Sequence, residues 1–99
     1  MTHATPALRP TVARVDLGAI RFNVGQARTL AGGRHLIAVV KADAYGHGAA
    51  AVARAIEADG VRRFGVALVE EGRVLREAGV RGDIIVLGGF APEQARDVV

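Results

Sequence analysis

A single lysine lies where an apolar run of this chain ends. Of the 13 lysine and arginine residues, 12 are arginine, and the single lysine, Lys41, directly follows the run Leu36 to Val40. A lysine at the end of a buried strand must lose its hydration or its proton, because burial lowers the pKa of an amine. A neutral amine is the nucleophile that forms a Schiff base with a carbonyl compound. The position of Lys41 therefore indicates covalent carbonyl chemistry.

A glycine-containing turn follows this lysine and leads into an alanine-rich helix. Gly46, Gly48 and Ala51 match the spacing of a dinucleotide-binding turn, and Glu70 follows at about the distance of its ribose-binding acid. Five residues, 41–45, separate the strand from the first glycine, however, and that fingerprint has no role for a lysine. Dinucleotide binding therefore stays an alternative with little support.

A second interpretation uses the lysine itself. In (β/α)8 barrels the reactive groups lie at the carboxyl ends of the strands. Lys41 would then project into the mouth of the barrel as a Schiff-base lysine. Tyr45, four residues further on, could reach an anionic group with its hydroxyl. A strand-end lysine that extends to solvent and a tyrosine that only packs the loop are the simpler structural explanations.

Strand-like and helix-like segments alternate along the chain, so we predict an α/β fold with a parallel sheet and right-handed crossovers. Residues 1–10 are expected to form a flexible leader and residues 11–99 a single partial domain. The expected elements are a strand-like run at 11–15, a helix from Asp16 to Gly32, a strand at 36–40, a helix at 48–58, a strand at 64–69, a helix at 70–78, a strand at 84–87 and a helix that begins at Pro92.

Composition excludes several classes of protein. The chain has 99 residues, a net charge of +3 and no cysteine, so it has neither a disulfide framework nor a cysteine-based metal site. His3, His35 and His47 are too scattered for metal-ligand spacing, and no metal is predicted. The arginines alternate with acids, so no nucleic-acid partner is predicted. No membrane span or signal peptide is recognised, and a cytoplasmic location is expected.

The segment from Ala38 to Gly48 resembles the pyridoxal-phosphate attachment motif of the alanine racemases. The resemblance continues on both sides of that motif. Residues 13–20 with Asn23 are similar to the opening strand and helix of that family, residues 64–72 to its second barrel strand and residues 84–89 to its third. Nearly the whole chain from about residue 11 is covered.

This resemblance implies a fold, a cofactor and site residues. The fold would be α/β, the N-terminal three βα units of a (β/α)8 TIM-type barrel. Lys41 would carry pyridoxal 5'-phosphate as a Schiff base and exchange the Cα proton on one face of the substrate. Tyr45 would hydrogen-bond the cofactor phosphate, and Leu87 would lie near the ring. Asp43 falls where the family carries Asn or Asp.

The implied activity is an isomerase reaction, the interconversion of L-alanine and D-alanine, with D-alanine supplying peptidoglycan synthesis. Family members are homodimers several times longer than this chain, which is expected to be truncated after three of eight barrel strands. The opposing tyrosine base of the family has no counterpart here, since Tyr45 is the only tyrosine. The 99 residues alone are therefore expected not to racemise. An inactive truncated fragment and a related racemase of other specificity are the alternatives.

Other polar residues of the site region have structural interpretations. His47 is interpreted as a hydrogen-bonded helix-start residue. Glu70 and Glu71 are interpreted as first-turn acids that suit the dipole of their helix.

Overall fold

The computed structural model describes residues 10–98. Its elements, in chain order, are α1 (Leu17–Ala31), β1 (Ala38–Val39), a left-handed turn (Lys41–Tyr45), α2 (Ala49–Ala58), β2 (Arg63–Val66), α3 (Val69–Glu77), β3 (Asp83–Val86), a 3-10 turn (Pro92–Gln94) and α4 (Ala95–Val98).

Helix α1 begins and ends at the residues that the sequence predicts. The Asp16 carboxylate accepts the Ala19 N–H at 3.1 Å and caps the first turn. Gly32 adopts φ 61° and ψ 44°, the left-handed conformation that ends a helix, and its N–H donates to the carbonyls of Arg28 and Thr29. Both caps are local, which explains why the sequence predicted them correctly.

The three strands form one parallel sheet in the order β1-β2-β3. Ala38 pairs with Phe64, and Phe64 pairs with Ile84 on the other side. The Val40 N–H donates to the Gly65 carbonyl at 2.8 Å, which extends the contact between β1 and β2 by one residue. The predicted parallel α/β order is thereby confirmed.

The hydrophobic core lies on one face of the sheet. Its largest fully buried side chains are those of Phe64, Ile56, Leu75, Val66 and Val80, so α2 and α3 cover this face. The opposite face, which we call the open face, carries Ile37, Val39 and Leu87 around Gly65. A methyl group at Gly65 would lie 3.2 to 3.5 Å from these three side chains.

Several predicted boundaries were wrong. Residues 11–15 are exposed and form no strand within the described residues, because no strand edge lies alongside them to accept their hydrogen bonds. The second strand ends at Val66 rather than at residue 69, because Leu68 is already the N-cap of α3. Strand β1 is shorter than predicted, since only Ala38 and Val39 pair as a ladder. Strand β3 is shifted one residue toward the N-terminus.

The two ends of the chain are described unequally. The predicted flexible leader at residues 1–10 lies outside the described residues except for Pro10, which is exposed. The third predicted helix does begin at Pro92, first as a 3-10 turn and then as α4. In the described part of the chain, no helix has the length and apolar character needed to cross a membrane.

Candidate functional site

Lys41 lies at the carboxyl end of β1, immediately after the buried Val40. Val40 has a ψ of 22°, so the extended strand conformation ends there and Lys41 is the first residue of the left-handed turn. The sequence predicted a buried amine, but Lys41 is only half-buried. Among residues 10–98, the open face is left uncovered, since Ile37, Val39 and Leu87 are all exposed. No salt bridge among residues 10–98 includes Lys41.

The backbone after Lys41 forms a left-handed helical turn that the sequence did not predict. Ala42, Asp43, Ala44 and Tyr45 have φ values of 52°, 57°, 54° and 55°. This conformation costs an L-residue about 1–2 kcal/mol because Cβ approaches the following carbonyl oxygen. Four such residues in succession persist only where the surrounding structure holds them, and strained backbone of this kind is concentrated at functional sites. The turn is therefore an independent structural indication of a site.

Hydrogen bonds join this turn to the start of α2. The Asp43 carboxylate accepts the Ala49 N–H at 2.8 Å, and the Asp43 carbonyl accepts the Gly48 N–H at 2.9 Å. His47 Nδ1 lies 3.0 Å from the Ala44 carbonyl, so it acts as the donor there. The hydrogen bond expected of His47 is present, but His47 precedes Gly48, the N-cap of α2, and binds back to the left-handed turn.

A second carboxylate reaches the turn from the neighbouring strand end. Glu71 Oε2 accepts the Ala42 N–H at 2.7 Å, while Oε1 accepts the N–H groups of Ala67 at 2.7 Å and Leu68 at 2.9 Å. Partial burial tends to raise the pKa of Glu71. The three N–H donors and the nearby Lys41 charge outweigh it, so the pKa stays below its ordinary value.

Tyr45 and Leu87 lie at the same edge of the sheet as Lys41. Tyr45 ends the left-handed turn and is 62% exposed. Leu87 follows β3, is 55% exposed, and its N–H donates to the Val66 carbonyl at 2.7 Å. The arrangement offers an amine, a phenol and an apolar surface. These groups fit a phosphate-bearing aldehyde with a flat ring, since the amine can condense with the aldehyde and the phenol can donate to the phosphate.

The glycines after the turn are used differently from those of a dinucleotide site. Gly46 and Gly48 have φ values of 88° and 90° and carry the chain from the left-handed turn into α2. The first N–H of α2, that of Ala49, is bound by the Asp43 carboxylate. A dinucleotide site needs this helix end for its pyrophosphate. The geometry therefore disfavours dinucleotide binding.

Sequence reasoning found Asp43 as a motif residue and Glu71 as a first-turn acid, but it missed the part that Glu71 takes in the site. The only available signal was its position in the first turn after the second strand. The bond to Ala42 spans 29 residues of sequence, and no local pattern encodes it. Within residues 10–98, no cluster of three or more His, Asp or Glu side chains could hold a metal ion.

The amino-acid sequence of this chain matches one protein family over most of its length. Residues 15–99 match the model of the family described as "Alanine racemase, N-terminal domain". The alanine racemase of Geobacter sulfurreducens is 49% identical over 92 residues, which cover 92% of this chain and 24% of that protein. The catabolic alanine racemase of Pseudomonas aeruginosa is 54% identical over 85 residues, covering 84% of this chain and 23% of that protein.

Solved structures of alanine racemases also resemble the chain. The Bacillus anthracis alanine racemase with bound L-Ala-P superposes with a TM-score of 0.81 at 37% identity, covering 96% of this chain and 26% of that one. The alanine racemase of Clostridium difficile gives a TM-score of 0.78 at 38% identity over 84% of this chain and 22% of that one. The chain thus spans about a quarter of the length of the relatives that it matches.

Proposed function

This chain belongs to the alanine racemase family, whose N-terminal domain its residues match, and on that premise we propose that it provides the cofactor lysine for interconverting L-alanine and D-alanine. Its three parallel βα units form part of the TIM barrel of that family, as the sequence predicted. The product D-alanine would supply peptidoglycan synthesis.

The position of Lys41 is the main support for this proposal. The single lysine of the chain lies half-buried at the carboxyl end of the first strand of a parallel sheet, directly before a strained left-handed turn. This edge of a (β/α) sheet is where barrel enzymes place their reactive groups. An amine held there beside an open apolar face suits a carbonyl cofactor better than any structural role.

The residues of the site take separate parts. Lys41 would hold pyridoxal 5'-phosphate through its amine, and its Nζ would take and return the Cα proton on one face of the substrate. The cofactor, when bound, supplies the electron sink for the negative charge that develops at Cα. Tyr45 would donate a hydrogen bond from its hydroxyl to the phosphate, and Leu87 would pack against the ring.

Racemisation also needs a proton donor on the opposite face of Cα. Tyr45 is the only tyrosine of the 99 residues, and the proposal assigns it to the phosphate. The second base is therefore proposed to come from outside these residues, within a homodimer. The site would then be completed by contacts that the described residues do not contain.

Borohydride reduction tests the position of the covalent bond. The complete gene product that contains these 99 residues is incubated with pyridoxal 5'-phosphate, reduced with borohydride and mapped by peptide mass spectrometry. The expected label is on Lys41, because only an amine forms the carbon–nitrogen double bond that borohydride reduces. Lys41→Arg is the matched control, since it keeps the charge but cannot condense. Label on any other residue of the product would contradict the proposal.

A chimera tests the substrate. Residues 15–99 replace the matching segment of the Pseudomonas aeruginosa catabolic alanine racemase, and the gene is introduced into a bacterium that requires D-alanine. Growth without D-alanine is expected for the chimera and not for its Lys41→Arg variant. If the complete gene product carries the label on Lys41 and racemises another amino acid but not alanine, the substrate assignment is wrong.

A further inference from the structure

The Glu71 carboxylate joins the carboxyl ends of β1 and β2 beside the lysine. We propose that Glu71 is a positioning residue that holds the left-handed turn in place and thereby fixes the direction in which the Lys41 amine leaves the sheet. This inference rests on the proposed function, because it assigns a purpose to Glu71 only if Lys41 carries the cofactor.

The two oxygens of Glu71 have different tasks. Oε1 accepts the N–H groups of Ala67 and Leu68, which lie between β2 and α3, so this oxygen caps its own helix. Oε2 accepts the N–H of Ala42, the residue directly after Lys41. Only the bond from the Ala42 N–H to Oε2 connects the β2–α3 unit with the segment after β1. The helix needs the first oxygen, whereas the second serves the neighbouring strand end.

The turn needs such a support because its conformation is unfavourable in itself. Ala42 has φ 52°, a value that L-residues rarely adopt and that begins the run of four left-handed residues. At the side of the turn toward α2, the Asp43 carboxylate accepts the Ala49 N–H. At the side next to Lys41, the Glu71 carboxylate accepts the Ala42 N–H. Without that bond the backbone at Ala42 is expected to relax toward the right-handed region and to redirect the Lys41 side chain.

A carboxylate is needed here because both of its oxygens accept hydrogen bonds. A glutamine at this position has one accepting oxygen, and its NH2 group can only donate. The oxygen is expected to stay with the two donors of Ala67 and Leu68, which turns the NH2 group against the Ala42 N–H. Glu71→Gln therefore removes the bond between the strand ends and keeps the cap of α3.

The experiment compares Glu71→Gln with Glu70→Gln in the complete gene product that contains these 99 residues. Glu70 is the adjacent, exposed acid of the same helix turn, so its variant has the same change in charge. The measured quantity is the rate at which pyridoxal 5'-phosphate attaches to Lys41, followed by its visible absorbance. Glu71→Gln is expected to slow attachment about tenfold, the effect of losing one hydrogen bond to a charged group. Glu70→Gln is expected to leave the rate unchanged and to lower the melting temperature only slightly, because it loses a favourable charge in the first helix turn.

A second variant separates positioning from general stability. Ala42→Gly, added to Glu71→Gln, lowers the cost of the left-handed conformation because glycine adopts positive φ readily. We expect the double variant to recover about fivefold of the lost attachment rate. Melting temperatures of the same variants separate the two roles. If Glu71 only stabilised the fold, the attachment rates would follow the melting temperatures, whereas a positioning role changes the rate at temperatures far below melting.

Each outcome has a definite meaning. A normal attachment rate in Glu71→Gln, or a slow rate that Ala42→Gly does not rescue, overturns the positioning role while the proposed function stands. If the unsubstituted protein fails to attach the cofactor at Lys41, the proposed function fails and this inference fails with it.

Discussion

Tyr45 and Lys41 are separated by one left-handed turn, which decides how the two side chains can act together. The turn carries Tyr45 out to the surface at the edge of the sheet, where the residue is 62% exposed. An exposed phenol in a strained backbone contributes little to packing. Its position is better explained by a ligand that lies across the strand ends.

Tyr45→Phe tests this explanation, because it removes only the hydroxyl group of the side chain. We expect the dissociation constant for pyridoxal 5'-phosphate to rise about tenfold, because one hydrogen bond to a charged phosphate is lost. The measurement is a titration of the cofactor into the complete gene product, with borohydride labelling of Lys41 as the control for an intact amine. Unchanged affinity would remove Tyr45 from the site.

Among the elements, the junction after β3 depends on the close approach of two backbones. The Gly88 N–H donates to the Ala67 carbonyl at 3.1 Å, and a Cβ at Gly88 would lie 2.5 Å from the same oxygen. No real Cβ sits that near an oxygen atom, so only glycine fits here. This contact fixes Leu87, the preceding residue, beside the open face.

Gly88→Ala is therefore expected to lower the free energy of unfolding by about 1–3 kcal/mol, the range for inserting a methyl group where there is no space. Gly89→Ala is the matched control, because a Cβ there meets no atom within 4 Å. Its effect should stay within about 0.5 kcal/mol. Denaturant titration of both variants measures the difference, and equal stabilities would show that the backbone at Gly88 can move away at little cost.

For the molecule as a whole, the open face is the main feature that the described residues leave uncovered. Ile37, Val39 and Leu87 are 46%, 42% and 55% exposed, although each is a large apolar side chain. The outer edges of β1 and β3 have no strand partner among residues 10–98. In a closed barrel such side chains fill the interior and such edges are paired.

The 99 residues produced alone are therefore expected to self-associate, because exposed apolar faces and strand edges pair with other copies. Sedimentation velocity over a range of concentrations measures this, and the double variant Ile37→Thr with Val39→Thr should shift the distribution toward monomer. A monodisperse monomer that unfolds cooperatively would contradict this prediction.

The sequence by itself determined the order of the elements, and it singled out Lys41 as the residue that we propose to be reactive. Caps such as Asp16 and Gly32, the alternation of apolar runs with helical segments, and the motif around Lys41 all act over a few residues. Local physical chemistry encodes them directly. The family resemblance, the parallel α/β order and the start of the last helix were predicted correctly for this reason.

Only the tertiary structure decided how the site is held. The left-handed turn at residues 42–45 contradicts the intrinsic preference of every residue in it, so no propensity predicts it. The bond from Glu71 to Ala42 joins residues that are distant in sequence, and the half-burial of Lys41 depends on which parts of the chain pack around the strand ends. Each of these features results from contacts between strand ends, which exist only once the sheet has formed.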